Sequence, residues 1–185
     1  MDALVQIKAF AENAHAGQLR RYSRERFMNH PERVMLICKT YTNDRCILAA
    51  ALLHDVLEDT AVDFHTLKDF LHQVLPKDEA EKTMILVVDL TDVFTHDLFP
   101  GQNRKIRKVK EAERLSNSHP DAQTVKYADV LDNVADITRN DPDFAKTYIK
   151  ECHYLISQMK KGHPQLHAKA IQVISECAGK VNVRI

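Results

Sequence analysis

Apolar residues recur along this chain at intervals of three and four, which is the period of one face of an α-helix. No segment alternates apolar and polar residues as a half-buried β-strand does. Gly17 and Gly162 are plausible end points for two of the clearest stripes, those at residues 4–14 and 144–159. The sequence therefore predicts an all-α protein. These four stripes span residues 4–14, 80–91, 144–159 and 166–177.

One predicted helix is apolar on every side. It includes Ile47–Leu53, and either Asn43 or Asp44 could cap its N-terminus. A helix without a polar face is usually buried in the protein interior. We therefore expect this helix at the centre of the fold. A second cap signal is Asp141 followed by Pro142, an N-cap residue before a proline at the first helical position.

Composition and charge exclude several other classes. The 185 residues match the size of one domain, and no linker or repeat is evident, so we predict a single domain over 1–185. The 26 basic and 26 acidic residues cancel, which gives no overall attraction to nucleic acid or to a membrane surface. No apolar run is long enough to span a bilayer, and residues 1–10 do not resemble a signal peptide. The four cysteines lack metal-binding spacing and indicate reduced thiols in a cytoplasmic protein.

The buried helix is followed directly by ionisable residues. If the helix continues, His54 shares a face with Glu58, and Asp55 shares one with Asp59. These residues are either a solvated last turn or part of a polar site. Acidic residues at a helix C-terminus oppose the helix dipole, and buried ionisable groups need partners. Both arguments favour a polar site.

Two further residues could complete that site. His30 precedes the apolar stretch at 34–37, and Asp129 lies on a polar stripe of a predicted helix. On its own that stripe is typical of a solvated helix face. With His54 and Asp55, the four residues supply two imidazoles and two carboxylates, a ligand set that suits Mn²⁺, Fe²⁺ or Zn²⁺. We predict one divalent metal ion bound by His30, His54, Asp55 and Asp129.

Three stretches of the chain carry longer motifs. Residues 14–31 match "AHxGQxR…Y…HP", residues 50–60 match "AALLHDxxEDT", and residues 126–133 match "KxADxxxN". In this order they resemble the HD superfamily of metal-dependent phosphohydrolases. The resemblance is closest to the (p)ppGpp hydrolases, which include SpoT/Rel-type enzymes, metazoan SpoT homologues and small stand-alone relatives. It implies a single HD-domain helical bundle of roughly eight to ten helices, and a hydrolase acting on a phosphate ester or pyrophosphate.

The same resemblance implies roles for individual residues. Glu58 and Asp59 match the acidic pair that orients or deprotonates the attacking water. Arg20 or Arg21, together with Asn133, match residues that contact the base and ribose of a nucleotide. The implied cofactor is one divalent metal ion, expected to be Mn²⁺, with Fe²⁺, Zn²⁺ or Mg²⁺ as alternatives. The implied partner is a small-molecule nucleotide, and the oligomeric state is left open. The residues that match the family's metal ligands are His30, His54, Asp55 and Asp129.

Departures from the subgroup bear on the substrate. Where the alarmone hydrolases tend to read "GEPYI", this chain has Arg24–Met28, and where they tend to read "DRLHN", it has Asp129–Asn133. A threonine that meets the ribose is Asp136 here, and an acid at this position would repel a phosphorylated ribose. The best single guess is a guanosine 3′,5′-bis(diphosphate) 3′-pyrophosphohydrolase. Alternatives are a 5′-nucleotidase, an NADPH phosphatase, or a nucleotide-sensing module without turnover.

Two weaker signals complete the interpretation. The basic segment 103–110 is predicted to be an exposed helix partly balanced by an Arg107–Glu111 pair; the alternative is a rim that attracts an anionic nucleotide. His15 belongs to the family pattern, and we expect it to act as a structural support.

Overall fold

The computed structural model of the chain describes residues 2–185, and that range contains ten α-helices. The β-type pairing within it is limited to one isolated bridge between Leu19 and Arg26. The all-α prediction is confirmed, as is the expected number of helices. The helices are α1 Ala3–Ala14, α2 Asn29–Lys39, α3 Arg45–Leu53, α4 Val56–Asp59, α5 Phe64–Val74, α6 Lys77–Leu90, α7 Arg104–Ser116, α8 Pro120–Asn140, α9 Pro142–Gln158 and α10 Pro164–Lys180.

The chain forms two compact units. The first ends at Thr91 and contains α1–α6, and the second begins at Asp92 and contains α7–α10. The single domain over 1–185 stays a prediction. In residues 2–185, no helix combines the length and apolar character that crossing a bilayer requires. All four cysteines are buried as free thiols.

Helix α3 lies at the centre of the first unit. Every side chain over Cys46–Leu53 is buried, and the helix packs against α1, α2 and α6. Asp44, rather than Asn43, caps its N-terminus, because the Asp44 carboxylate accepts a 2.8 Å hydrogen bond from the Cys46 backbone N–H. The predicted central helix is therefore confirmed, and the choice of its cap is settled.

The central helix does not continue to Asp59 as the sequence pattern suggested. Helix α3 ends at Leu53, and the short helix α4 begins at Val56. His54 Nδ1 lies 2.8 Å from the Ala51 carbonyl oxygen, the acceptor that a continuing helix would offer to the Asp55 N–H. His54 and Asp55 consequently lie at a junction between two helices.

Helix α8 is the longest element of the second unit and packs against α9 and α10. Asp141 ends α8 and caps α9 as expected, accepting a 3.1 Å hydrogen bond from the Phe144 N–H. Three buried side chains of α8 also bind the backbone of residues 159–163, the α9–α10 loop. We call this arrangement the loop clasp. Its hydrogen bonds are Tyr127 Oη to Met159 O (2.9 Å), Lys161 N to Gln123 Oε1 (2.8 Å), Gly162 N to Tyr127 Oη (3.3 Å) and His163 N to Thr124 Oγ1 (2.9 Å).

Gly162 is required for close packing in the loop clasp. A Cβ at this position would lie 2.6 Å from the Tyr127 ring and 2.8 Å from the Thr124 backbone nitrogen. It lies beyond the end of α9 at Gln158, so it is not itself the residue that stops the helix. Gly17, by contrast, has a φ of +78°, a left-handed conformation that glycine adopts readily just after α1.

Candidate metal centre

Three predicted metal ligands of the first unit converge on one point. His30 lies in the first turn of α2, whereas His54 and Asp55 lie at the α3–α4 junction. The two Nε2 atoms are 3.3 Å apart. Asp55 Oδ2 is 3.1 Å from His54 Nε2 and 3.8 Å from His30 Nε2. Helices α2 and α3 pack against each other, and this packing brings together side chains that are 24 residues apart in sequence.

The protonation of His54 suits a metal ligand. Its Nδ1 lies 2.8 Å from the Ala51 carbonyl oxygen, which can only accept a hydrogen bond, so Nδ1 carries the proton. Nε2 is then the ring nitrogen that faces His30 and Asp55, and it is the nitrogen available to a metal ion. Both histidines are almost fully buried, with 1% and 2% of the side chain exposed. Two imidazole nitrogens and a carboxylate oxygen in this arrangement could hold a divalent cation.

The predicted catalytic acids lie on α4, one turn beyond the converging ligands. Glu58 and Asp59 are both exposed to solvent. Desolvation of the Asp59 carboxyl and the negative charge of Asp55 raise the pKa of Asp59, against the opposing charges of nearby groups that include Arg20. The charge of the converging ligand Asp55 thus acts on the carboxyl of Asp59.

His15 supports this region through Gln18, as expected for a structural residue. His15 Nδ1 lies 2.8 Å from Gln18 Oε1, and Gln18 Nε2 donates a 2.8 Å hydrogen bond to the Asp59 carbonyl oxygen. The His15 ring also stacks on Phe27, with the ring centroids 4.4 Å apart. These contacts connect the end of α1 to the end of α4.

The two arginines proposed for the nucleotide have different surroundings. Arg20 is 9% exposed, and its charge acts on the Asp59 carboxyl. Arg21 is exposed, with its guanidinium carbon 5.5 Å from the centre of the Tyr22 ring. Arg20 is thus the arginine that the structure brings near the predicted catalytic acids.

Asp129 and Asn133 lie together on α8, in the second unit. Asp129 is buried, and its carboxylate accepts a 2.5 Å hydrogen bond from Asn133 Nδ2. Its other oxygen is 2.9 Å from Lys126 Nζ. The structure therefore pairs a predicted metal ligand with a predicted nucleotide contact one helical turn away. The fourth ligand position of Asp129 stays a prediction.

A small cavity of the second unit places Asp129 beside Asp92, a charged residue that the sequence did not single out. It has a volume of about 60 Å³, and Asp92, Lys108 and Asp129 are among the residues that line it. Burial acts to raise the pKa of Asp92, but the charges of Lys126 and Lys108 outweigh it and lower that pKa. Lys108 Nζ lies 3.0 Å from Asp92 Oδ2. Asp92 follows directly after the first unit, and no local pattern marks it.

The surroundings of Glu111 also differ from those that the sequence predicted. The predicted Arg107–Glu111 pair is wrong, because Glu111 is 4% exposed and instead pairs with Arg114. Glu111 Oε2 also accepts hydrogen bonds from the backbone N–H groups of Val93 (3.1 Å) and Phe94 (2.9 Å). The available signal was helical: Glu111 precedes Leu115 by four residues, so it lies on the buried face of α7.

Comparison with known proteins now gives the class of the protein. The family model of the HD domain matches residues 27–134, more than half of the chain. The chain belongs to the HD domain family and is a metal-dependent hydrolase. The predicted family is confirmed.

Named relatives show which hydrolases of this family the chain is similar to. The chain is 30% identical to guanosine-3′,5′-bis(diphosphate) 3′-pyrophosphohydrolase MESH1 of Xenopus tropicalis over 167 residues, 87% of this chain and 86% of that protein. It is 31% identical to the Homo sapiens protein of the same name over 163 residues, 86% of this chain and 83% of that protein. A solved structure of a metazoan orthologue of SpoT that hydrolyses ppGpp has the same fold, with a TM-score of 0.79, 23% identity, and coverage of 95% of this chain and 96% of the other.

Proposed function

We propose that this chain hydrolyses guanosine 3′,5′-bis(diphosphate), releasing the 3′-pyrophosphate. The observation that carries the proposal is the convergence of His30, His54 and Asp55 in a chain whose named relatives are 3′-pyrophosphohydrolases. The reaction needs a polarised phosphoryl group and an activated water molecule, and a buried donor set of this kind suits both.

Four residues would hold the metal ion in this proposal. His30, His54 and Asp55 already converge, and Asp129 is the proposed fourth ligand. Mn²⁺ is the proposed ion, with Fe²⁺, Zn²⁺ or Mg²⁺ as alternatives, because mixed nitrogen and oxygen donors suit several of these cations. When bound, a divalent cation supplies Lewis acidity, which polarises a phosphoryl oxygen and lowers the pKa of water.

Residues beyond the ligands would handle the proton and the nucleotide. Glu58 and Asp59 are proposed to orient the attacking water and accept its proton, and a raised pKa suits Asp59 to accept a proton. Arg20 (or Arg21) and Asn133 are proposed to bind the nucleotide. The burial of Arg20 and the action of its charge on Asp59 support Arg20 rather than Arg21.

Pyrophosphate release tests the proposal directly. Purified protein supplied with Mn²⁺ should release pyrophosphate from guanosine 3′,5′-bis(diphosphate), and Asp59→Asn should slow the reaction by roughly 10²–10⁴-fold, the range for loss of a general base. Asp69→Asn, which replaces an exposed acid of α5, is the matched control and should leave the rate unchanged. Absence of pyrophosphate from protein that has bound the metal would refute the proposed activity.

The ligand role of Asp129 needs its own experiment. Asp129→Asn should weaken Mn²⁺ binding measured by isothermal titration calorimetry, whereas Asp136→Asn on the same helix should not. Equal affinity of wild type and Asp129→Asn would remove Asp129 from the ligand set and leave the other three in place.

A second candidate substrate class rests on Asp136. The Asp136 carboxylate accepts a 2.7 Å hydrogen bond from Asn140 Nδ2 on the same helix, so an acid is held where alarmone hydrolases tend to have a threonine. Its negative charge disfavours a phosphate beside it, so the substrate classes kept beside the leading proposal are those of a 5′-nucleotidase or another HD nucleotide phosphatase, including an NADPH phosphatase. A panel of nucleotides in the same assay separates these, because inorganic phosphate replaces pyrophosphate as the product. Binding of nucleotide and metal without turnover would identify a nucleotide-sensing module instead.

A cytoplasmic location is part of the same proposal. Its support is the state of the four cysteines, which are all buried as free thiols, as is typical of a reducing compartment.

A further inference from the structure

The first unit carries a groove between α5 and α6 whose centre is apolar. Its volume is about 450 Å³. Phe64, Ile85 and Val88 line it with 43%, 55% and 43% of their surface exposed, and Met84 lies buried beneath them. Exposed apolar side chains that are scattered singly are ordinary, but a cluster of this kind on one face is typical of an interaction surface.

The two walls of this groove carry opposite charges. On α5, Lys68 and His72 continue the stripe that begins at Phe64, one and two turns further along. On α6, Glu81 and Asp89 lie on either side of the apolar centre. Lys68 is exposed and makes no ion pair with another residue of the described range 2–185. The Glu81 carboxylate lies 3.9 Å from Nζ of the exposed Lys77, which is a long contact.

We propose that this face binds a second copy of the same chain, with a two-fold axis running along the groove. Such an axis places α5 of each copy on α6 of the other, so the basic wall of one copy meets the acidic wall of its neighbour. The apolar centres meet at the same time and are removed from water. A surface with both charges arranged in this way is self-complementary, which is the requirement of an isologous dimer.

The direction of the axis follows from the positions of the charges. Helices α5 and α6 are joined by two residues and pack against each other, so they run antiparallel, and His72 lies at the same end of the groove as Glu81. An axis along the groove then sets His72 opposite Glu81 of the second copy, with Lys68 within reach of both acids. An axis across the groove would set Lys68 against the second Lys68, which like-charge repulsion disfavours.

The occupant is a second copy rather than a partner of one charge. A basic or an acidic partner would satisfy one wall of the groove and meet repulsion at the other. Two copies satisfy both walls, and each wall is used twice.

Molar mass in solution tests the proposal. Light scattering and sedimentation velocity on the wild-type chain should give twice the mass of one chain at about 100 μM, with dissociation on dilution. Ile85→Lys should give the single-chain mass under the same conditions, because it places a charge in the apolar centre. Leu36→Lys is the matched control: Leu36 is also 55% exposed in the first unit, but it lies on α2 outside the groove, and the variant should remain dimeric.

Charge reversal gives an independent test that does not depend on the folding of Ile85→Lys. Lys68→Glu and Glu81→Lys should each raise the dimer dissociation constant by about tenfold or more, since each places like charges across the interface. The double variant Lys68→Glu/Glu81→Lys should recover affinity, because the opposite charges are exchanged between the walls. A wild-type chain that stays monomeric at about 100 μM, or a dimer unchanged by Ile85→Lys, would overturn the proposal. So would failure of the double variant to recover, or a mass that grows without limit as concentration rises.

Discussion

Asp44 fixes the start of the helix that leads to His54. One carboxylate oxygen accepts a hydrogen bond from the Cys46 N–H, and the other lies 2.8 Å from Lys82 Nζ. Burial acts to raise the pKa of Asp44, but these hydrogen bonds and the Lys82 charge hold it below the ordinary value of 3.8. The ionised form of Asp44 therefore stabilises the folded chain.

Two substitutions of Asp44 should distinguish the contribution of the helix cap to stability from that of the ion pair. Asp44→Ala removes both and should lower the free energy of unfolding by about 1–2 kcal/mol. Asp44→Asn keeps an oxygen for the Cys46 N–H and should cost less than about 1 kcal/mol, because a partly exposed ion pair contributes little. Urea unfolding followed by circular dichroism measures both. A larger loss for the Asn variant than for the Ala variant would contradict the assignment of the cap.

The ion pair of Asp44 also predicts a dependence on pH. Its folded pKa is lowered, so its contribution is present above 3.8, the ordinary value, and is lost as the pH falls through the folded pKa. The difference in unfolding free energy between wild type and Asp44→Asn should thus be constant from neutral pH to about pH 5 and should shrink below pH 4. A difference in unfolding free energy that grows on acidification would contradict a lowered pKa of Asp44 in the folded chain.

Arg24 adopts a backbone conformation that suits glycine better. Its φ is 60°, in the left-handed region, within the short turn between Leu19 and Arg26. A side chain there costs roughly 1–2 kcal/mol, which exceeds the extra freedom that glycine gives the unfolded chain. Arg24→Gly should therefore raise the free energy of unfolding by up to about 1 kcal/mol. Arg26→Gly, the control two residues away in the bridge, should lower it. The same sign for both variants in thermal and urea unfolding would contradict the interpretation.

At the scale of elements, the loop clasp joins α8 to the α9–α10 connection. Gly162→Ala would place a methyl group against the Tyr127 ring and the Thr124 backbone, and the backbone cannot move aside as a flexible side chain can. We expect a loss of about 1–3 kcal/mol, the range for overpacking a well-filled site. Gly101→Ala is the matched control, because a Cβ there meets nothing within 4 Å. Differential scanning calorimetry should show a lower melting temperature for Gly162→Ala alone, and equal temperatures for both variants would contradict the close packing.

The elements that local sequence determines were predicted well. The period of apolar residues identified α1, α6, α9 and α10, because one face of each is buried and the period of the helix is fixed. The Asp141–Pro142 cap was read correctly, since an N-cap depends on its immediate neighbours. The end of α3 was not, because it involves the His54 ring and the Ala51 carbonyl, a contact that the apolar pattern does not encode.

Parts of the candidate site that depend on tertiary contacts could not be predicted from spacing. The three converging ligands were predicted because ionisable residues directly follow a buried helix and because a known motif marks the same positions. Glu111 and Asp92 carry no motif, and their roles come from the loop amides and lysines that the fold brings to them. The one local indication for Glu111 is its position on the buried face of a helix, whereas the spacing to Arg107 predicts an exposed ion pair.

At the scale of the whole molecule, metal binding should contribute to stability. A ligand that binds only the folded chain adds about 2.7 kcal/mol when its concentration is a hundred times its dissociation constant. Addition of Mn²⁺ to chain treated with EDTA should therefore raise the melting temperature, and His54→Ala should abolish the rise. His96→Ala, which removes an exposed histidine, is the control and should keep it. A rise that survives His54→Ala would place the bound metal elsewhere.

The loop clasp also has a consequence for the order in which the second unit can be completed during synthesis. Its hydrogen bonds join residues 32–39 positions apart, so Gln123, Thr124 and Tyr127 leave the ribosome well before the backbone of residues 159–163 that they bind. A nascent chain stopped at residue 158 would hold these α8 side chains without their loop partners. We therefore expect α8, with Asp129 two residues beyond Tyr127, to reach its final packing only after α9 and the following loop have emerged.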